Sequence, residues 1–205
     1  MSLHLKRKER QTLMNLMITD NKYYHAPDHP ELIELENNLY LTISDQGAPG
    51  GSAHLAAVQA LHTSAYGVKS LMMMEGKDFI VPVLEGLWWV DGNKPVREVP
   101  MEQWYWKLLI RVPDYVTESH WERTKIKAIM DNPLIQSIVL ETINEGKCVQ
   151  MMHNGPYDRE QETVDLIEAF MKDHNLVQNG LHHEIYISDI MSPPRRRQGP
   201  FYDTR

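Results

Sequence analysis

The sequence predicts an α+β domain with internal pseudo-symmetry. Two observations lead there: period-two alternation of apolar and polar residues marks several short strands between amphipathic helices, and the order strand, glycine-proline loop, helix, strand occurs twice, at Tyr40–Trp89 and Val149–Ser188. A third is negative. No shift in composition and no Gly/Ser-rich linker separates the halves, and the repeat is too long for a solenoid.

The elements follow in order. Residues 20–38 hold Pro27, Pro30 and several acids, and read as an extended lead-in. Leu39–Ser44 alternates as a half-buried strand. Asp45–Gly51 breaks it, and Ser52 is placed to cap a helix carrying Leu55, Val58, Leu61 and Ala65 at spacings of three and four. Phe79–Val90 is apolar and β-rich, interrupted at Pro82 and Gly86; Trp104–Val112 is a strand stopped by Pro113. Thr117–Met130 reads as a helix with Trp121 and Ile129 inward. Ile138–Ile143 and Cys148–Met152 are expected as strands joined by a tight turn at Asn144-Glu145-Gly146. Asn154–Asp158 is a loop, with Asp158 expected to cap a helix through Met171 that buries Val164, Ile167 and Met171. His183–Ile187 closes the set as the last strand.

The 205 residues are 42% apolar and 24% charged, a mix that excludes disorder and disulfide-stapled miniatures. Acids outnumber Lys and Arg by 28 to 21, and a net charge of -7 argues against a general grip on nucleic acid or an anionic membrane. A single cysteine, Cys148, and no long apolar run fit a cytoplasmic protein, and Cys148 itself reads as a small buried residue.

The most informative segment is His182-His183-Glu184-Ile185-Tyr186-Ile187-Ser188. Alternation puts Ile185 and Ile187 on one face and His182, Glu184, Tyr186 and Ser188 on the other. Either that polar face meets water, or Glu184 sits in an aromatic-walled groove, where a carboxylate attracts a cation or takes a proton from water. Leu84-Glu85-Gly86-Leu87-Trp88-Trp89 is the counterpart in the first half; the adjacent tryptophans must face opposite ways, and one of them is a candidate wall. Tyr66, Tyr157 and Tyr186 are further walls or hydroxyl donors. Met72-Met73-Met74 and Met151-Met152 are core filling or adaptable lining. No metal is expected: the adjacent His182 and His183 cannot turn to one ion, and no metal-binding spacing occurs. No cofactor is expected either.

Four segments carry a family likeness: Tyr40–Ile43 through Gly47-Ala48-Pro49-Gly50-Gly51; Val81–Trp89; Glu145–Asp158; and His182–Asp189. With the Pro113–Val116 turn they cover residues 23–190. In this order they resemble the GyrI-like small-molecule-binding family. The resemblance implies tandem strand-helix-strand-strand modules (a SOUL-type arrangement), an extension at 1–22, the domain at 23–190 and a tail at 191–205. It also implies a groove between the modules with a buried glutamate, here Glu184. Relatives of this kind include drug-sensing domains of transcription activators that hold lipophilic cations; this chain looks like the stand-alone branch, some members of which hydrolyse the cyclopropane of DNA-alkylating antibiotics such as yatakemycin. His54 stands where the family usually has a bulky aromatic, and Leu61-His62 replaces its leucine-tyrosine pair.

The expectation is therefore a detoxifying hydrolase. Glu184 is general base, with burial raising its proton affinity, and Tyr157 or Tyr186 donates to the developing phenolate. Trp88 or Trp89, Tyr66, His54, Met152 and His182 line the ligand site. The alternative is a non-catalytic binder or ligand-responsive regulator using the same pocket. The expected partner is a small molecule, with the chain a monomer or weak dimer.

Overall fold

The computed structural model describes residues 23–92, 96–187 and the backbone of 201–204. The extension at 1–22, Ser188, Asp189 and the arginines at 195–197 lie outside the described residues. The strands are β1 (Glu31–Leu35), β2 (Asn38–Gln46), β3 (Glu85–Trp89), β4 (Tyr105–Val112), β5 (Val139–Ile143), β6 (Gly146–Gln150), β7 (Gln178–Ile185) and β8 (Phe201–Thr204). The helices are α1 (Ser52–Met74), α2 (Glu118–Ala128) and α3 (Glu160–Asp173).

All eight strands join one antiparallel sheet in the order β1-β6-β8-β7-β3-β4-β2-β5. The pseudo-symmetry is visible in that order. In the first module β4 lies between β2 and β3; in the second β8 lies between β6 and β7. The modules meet where β3 pairs with β7, Gly86 opposite Glu184 and Trp88 opposite His182. The tandem strand-helix-strand-strand architecture is thus present, with one correction. The segment set aside as a tail contributes β8, which fills the centre of the second module, so β7 is not the last strand.

The expected hairpin at Asn144-Glu145-Gly146 is also corrected. β5 pairs with β2 at one edge, whereas β6 lies next to the opposite edge. Six strand spacings separate them, about 29 Å if the sheet were flat. Yet Ile143 and Gly146 are linked by two residues, a reach of about 11 Å at most. The Glu36-Asn37 link between β1 and β2 imposes the same limit. The sheet must therefore roll, bringing its ends together around an inner face.

The outer face carries the helices. α1 lies on the first module through His54, Ala57, Ala60, Leu61, Ala65 and Val68, over Leu41, Ile43, Trp106, Leu108 and Ile110. Small residues in this stripe let the helix sit low on the sheet, and Leu55, expected inward, is 45% exposed. The helix starts after Gly51, which caps it without a side-chain bond, so Ser52 is not the cap. α2 packs on α1 and opens with a capping box between Thr117 and His120. A Cβ on Gly67 would stand 2.6 Å from the Thr124 methyl, so the α1–α2 contact requires glycine there. α3 covers β6 through Ile167 and Met171 against Val149 and Met151. It begins at Glu160, after a short 3-10 turn over Tyr157–Arg159, and so Asp158 is not its cap.

Candidate functional site at the seam between the modules

Alternation along β3 and β7 sorts their side chains between the two faces of the sheet. Gly86, Trp88, His182 and Glu184 face the helices; Glu85, Leu87, His183 and Ile185 face the rolled interior. The α1 N-terminus brings His54 over this central pair, and the first residue of α3 brings Glu160 from the other side. The candidate site thus lies at the seam between the modules, with a helix start from each beside it.

Glu184 is 9% exposed. Its Oε1 accepts from His182 Nε2 at 3.0 Å, and Tyr186 and Glu160 also hydrogen-bond to it. Tyr186 in turn accepts from Trp88 Nε1 at 3.0 Å, giving a relay from indole to phenol to carboxylate. Burial pushes the Glu184 carboxyl up, but the bonds from His182, Tyr186 and Glu160 outweigh it and hold the group below the usual carboxylate range. Burial, the Glu184 charge and its hydrogen bond instead push Glu160 up to about 9. Two neighbouring carboxyls cannot both ionise here, so Glu160 keeps the proton and donates it to ionised Glu184. This reverses the expectation that Glu184 itself would be the proton-rich carboxyl.

Gly86 forms the floor. A Cβ there would come within 2.9 Å of both Trp88 Nε1 and the Tyr186 hydroxyl. Any larger residue would strike the indole–phenol hydrogen bond, so the glycine that looked like an interruption of a strand is part of the site.

His54 is 5% exposed, stacked on Trp88 (centroids 5.6 Å apart, planes at 23°) and edge-on to Trp106. The Gly50 N–H donates to its Nδ1 at 3.4 Å, and its Nε2 has no partner among the described residues. Leaving a buried donor unpaired costs about 1–3 kcal/mol.

Of the nine expected residues, Glu184, Tyr186, Trp88, His54 and His182 come together. Tyr157 is 42% exposed and lies near Tyr186. Three others lie apart from this cluster, Trp89 as the alternation of adjacent tryptophans required. Trp89 turns to the opposite face and stacks on Tyr105 at 5.6 Å. Tyr66 lies three turns beyond His54 on α1, about 18 Å along the axis, and is 56% exposed. Met152 lines a separate cavity of about 210 Å³ with Asp28, His153, Arg159, Glu162 and Thr163. Glu160 was missed, because an acid in a first helical turn ordinarily reads as a partner of the helix dipole.

Glu160, His182 and Glu184 also place three ligand-type atoms within 4.8 Å of one another. His183, as alternation required, is not among them. The cluster is already balanced internally, since the proton on Glu160 and the His182 N–H both serve the Glu184 carboxylate.

A family model described as the GyrI-like small molecule binding domain matches residues 73–197. The chain belongs to the GyrI-like family. A conserved protein of unassigned function from Listeria innocua is 33% identical to this GyrI-like chain, with a TM-score of 0.83 over 92% of this chain and 97% of that one. A crystal structure described as a hydrolase from the same organism is 31% identical, with a TM-score of 0.82 over 92% and 98%. The EcmrR C-terminal domain, 11% identical with a TM-score of 0.58 over 86% and 97%, shares the fold. A search of curated proteins found no match. The protein is thus a GyrI-like small-molecule-binding domain, and no helix among its described residues is long and apolar enough to cross a membrane.

Proposed function

We propose that this GyrI-like domain binds a flat, mainly apolar molecule in the groove beside Trp88 and adds water to a strained ring of it, the cyclopropane of a DNA-alkylating compound. The observation that carries the reading is an ionised carboxylate, Glu184, nearly closed off from solvent and aimed by three donors. The likeness to proteins described as hydrolases at 31% identity supports the hydrolytic part.

In a cyclopropane fused to a dienone, the water oxygen bonds to the ring methylene and the methylene–ring bond breaks. Its electron pair moves through the ring system to the carbonyl oxygen, restoring aromaticity. Glu184 takes the proton released by the water, and solvent reprotonates the phenolate. Because Tyr186 spends its proton on Glu184 and its pKa is driven well above normal by burial and the Glu184 charge, it orients the base instead of acting as an acid. Glu160 holds its own proton, so Glu184 is the ionised carboxyl of the pair at neutral pH and accepts the water's proton transiently, passing it on to solvent.

The test is the water adduct of such an alkylator, followed by mass spectrometry. Glu184→Gln should lower turnover by about 10²–10⁴-fold, the usual worth of a positioned base, with ligand affinity kept. Undiminished turnover in Glu184→Gln removes the base role. Tight binding with no adduct in the wild type favours the storage or ligand-sensing alternative.

A further inference from the structure

His54 is the buried polar group in the groove that the proposed reaction leaves idle. Its ring is locked between Trp88 and Trp106. The Gly50 amide can only donate, so Nδ1 must present its lone pair. Burial holds the imidazole neutral against the opposing pull of Glu184. A neutral ring with Nδ1 as acceptor carries its proton on Nε2. That N–H has no acceptor among the described residues, although an ionised carboxylate lies nearby and takes its hydrogen bonds elsewhere.

We infer that His54 Nε2–H is the donor for a ligand oxygen, so that the groove selects flat molecules bearing a neutral carbonyl over equally flat ones without it. This rests on the reading that flat ligands occupy the groove, and adds the chemical class: aryl ketones and quinoid carbonyl compounds. A lipophilic cation offers the N–H nothing to accept with. A full anion is repelled by Glu184. A carbonyl has lone pairs and no net charge, and so suits both groups. In the ring opening above, the same oxygen gains negative charge, and the bond to His54 strengthens as it does.

The experiment compares 9-fluorenone with fluorene, planar and alike except for the carbonyl, by equilibrium dialysis against the full chain. Wild type should hold fluorenone about tenfold more tightly, the worth of one well-placed hydrogen bond. His54→Phe keeps a ring against Trp88 but drops the donor; whatever its affinity for fluorene, the ratio of the two affinities should fall to about one. Equal affinity in the wild type, or a preference that survives His54→Phe, overturns the inference while leaving the flat-ligand reading intact. Binding of neither compound overturns that reading itself. Should His54→Phe fail to fold, 15N NMR of histidine in the wild type decides. A proton on Nε2 whose shift moves with fluorenone supports the assignment, and a proton on Nδ1 or an unmoved shift contradicts it.

Discussion

At the scale of single residues, the site depends as much on an absent side chain as on those present. Gly86 lies opposite Glu184 in the β3–β7 register, and the Trp88 indole and Tyr186 hydroxyl close over it. Gly86→Ala should separate those two groups and leave Tyr186 without its donor. The expected cost is about 1–3 kcal/mol from overpacking, read as a lower denaturation midpoint together with a loss of ligand affinity. An alanine variant with unchanged stability and binding would show that the rings are free to move aside. Alternation placed His182, Glu184 and Tyr186 on one face but left open whether that face met water; the family resemblance pointed to the buried Glu184 that the structure shows. Glu160 was not legible in that way, because its partnership with Glu184 crosses from a helix to a strand 24 residues later. Which tryptophan entered the groove was likewise undecidable, because alternation separates Trp88 from Trp89 without naming the inner face.

At the scale of elements, the inner face of the rolled sheet has its own polar chain. Tyr40 donates to Tyr23 (2.5 Å), Tyr23 donates to Glu85 Oε2 (2.6 Å), and His183 joins Glu85 at 3.1 Å to Glu145 at 2.8 Å. These groups come from the lead-in, β2, β3, β7 and the β5–β6 connector, so one network ties the ends of the sheet to its centre. Burial works against charge on His183, but Glu145 and Glu85 outweigh it and raise its pKa to about 10. The folded state then holds a proton that the unfolded chain releases above its ordinary value of about 6.5. This contribution is complete below that pH and is lost as pH rises through about 10. Glu160, raised to about 9, acts in the same direction. Thermal stability should therefore fall steadily between pH 7 and 10, and Glu160→Gln should flatten the part of that slope below about pH 9. A midpoint independent of pH across this range would mean that His183 is neutral. The connector carrying Glu145 read from the sequence as a tight hairpin turn; two residues between strands ordinarily signal one. Only the long-range pairing of β5 with β2 and of β6 with β1 makes it a crossover.

At the scale of the whole molecule, the repeated strand-loop-helix-strand pattern was legible because it rests on local periodicity. The second module's centre was not, since β8 is four residues long and separated from β7 by a stretch rich in proline and arginine. Placing the modules side by side on β3 and β7 brings one helix start from each to the same spot. That is the physical reason aromatic rings from the first module and a carboxyl pair from the second meet there. Which of the two carboxyls holds the proton decides whether a base is present at neutral pH. The direct measurement is a 13C NMR titration of side-chain-labelled glutamate, with Glu160→Gln and Glu184→Gln used for assignment. At pH 7 the Glu184 carboxyl should be ionised and that of Glu160 protonated, titrating near 9. A protonated Glu184 beside an ionised Glu160 at that pH would contradict the assigned base.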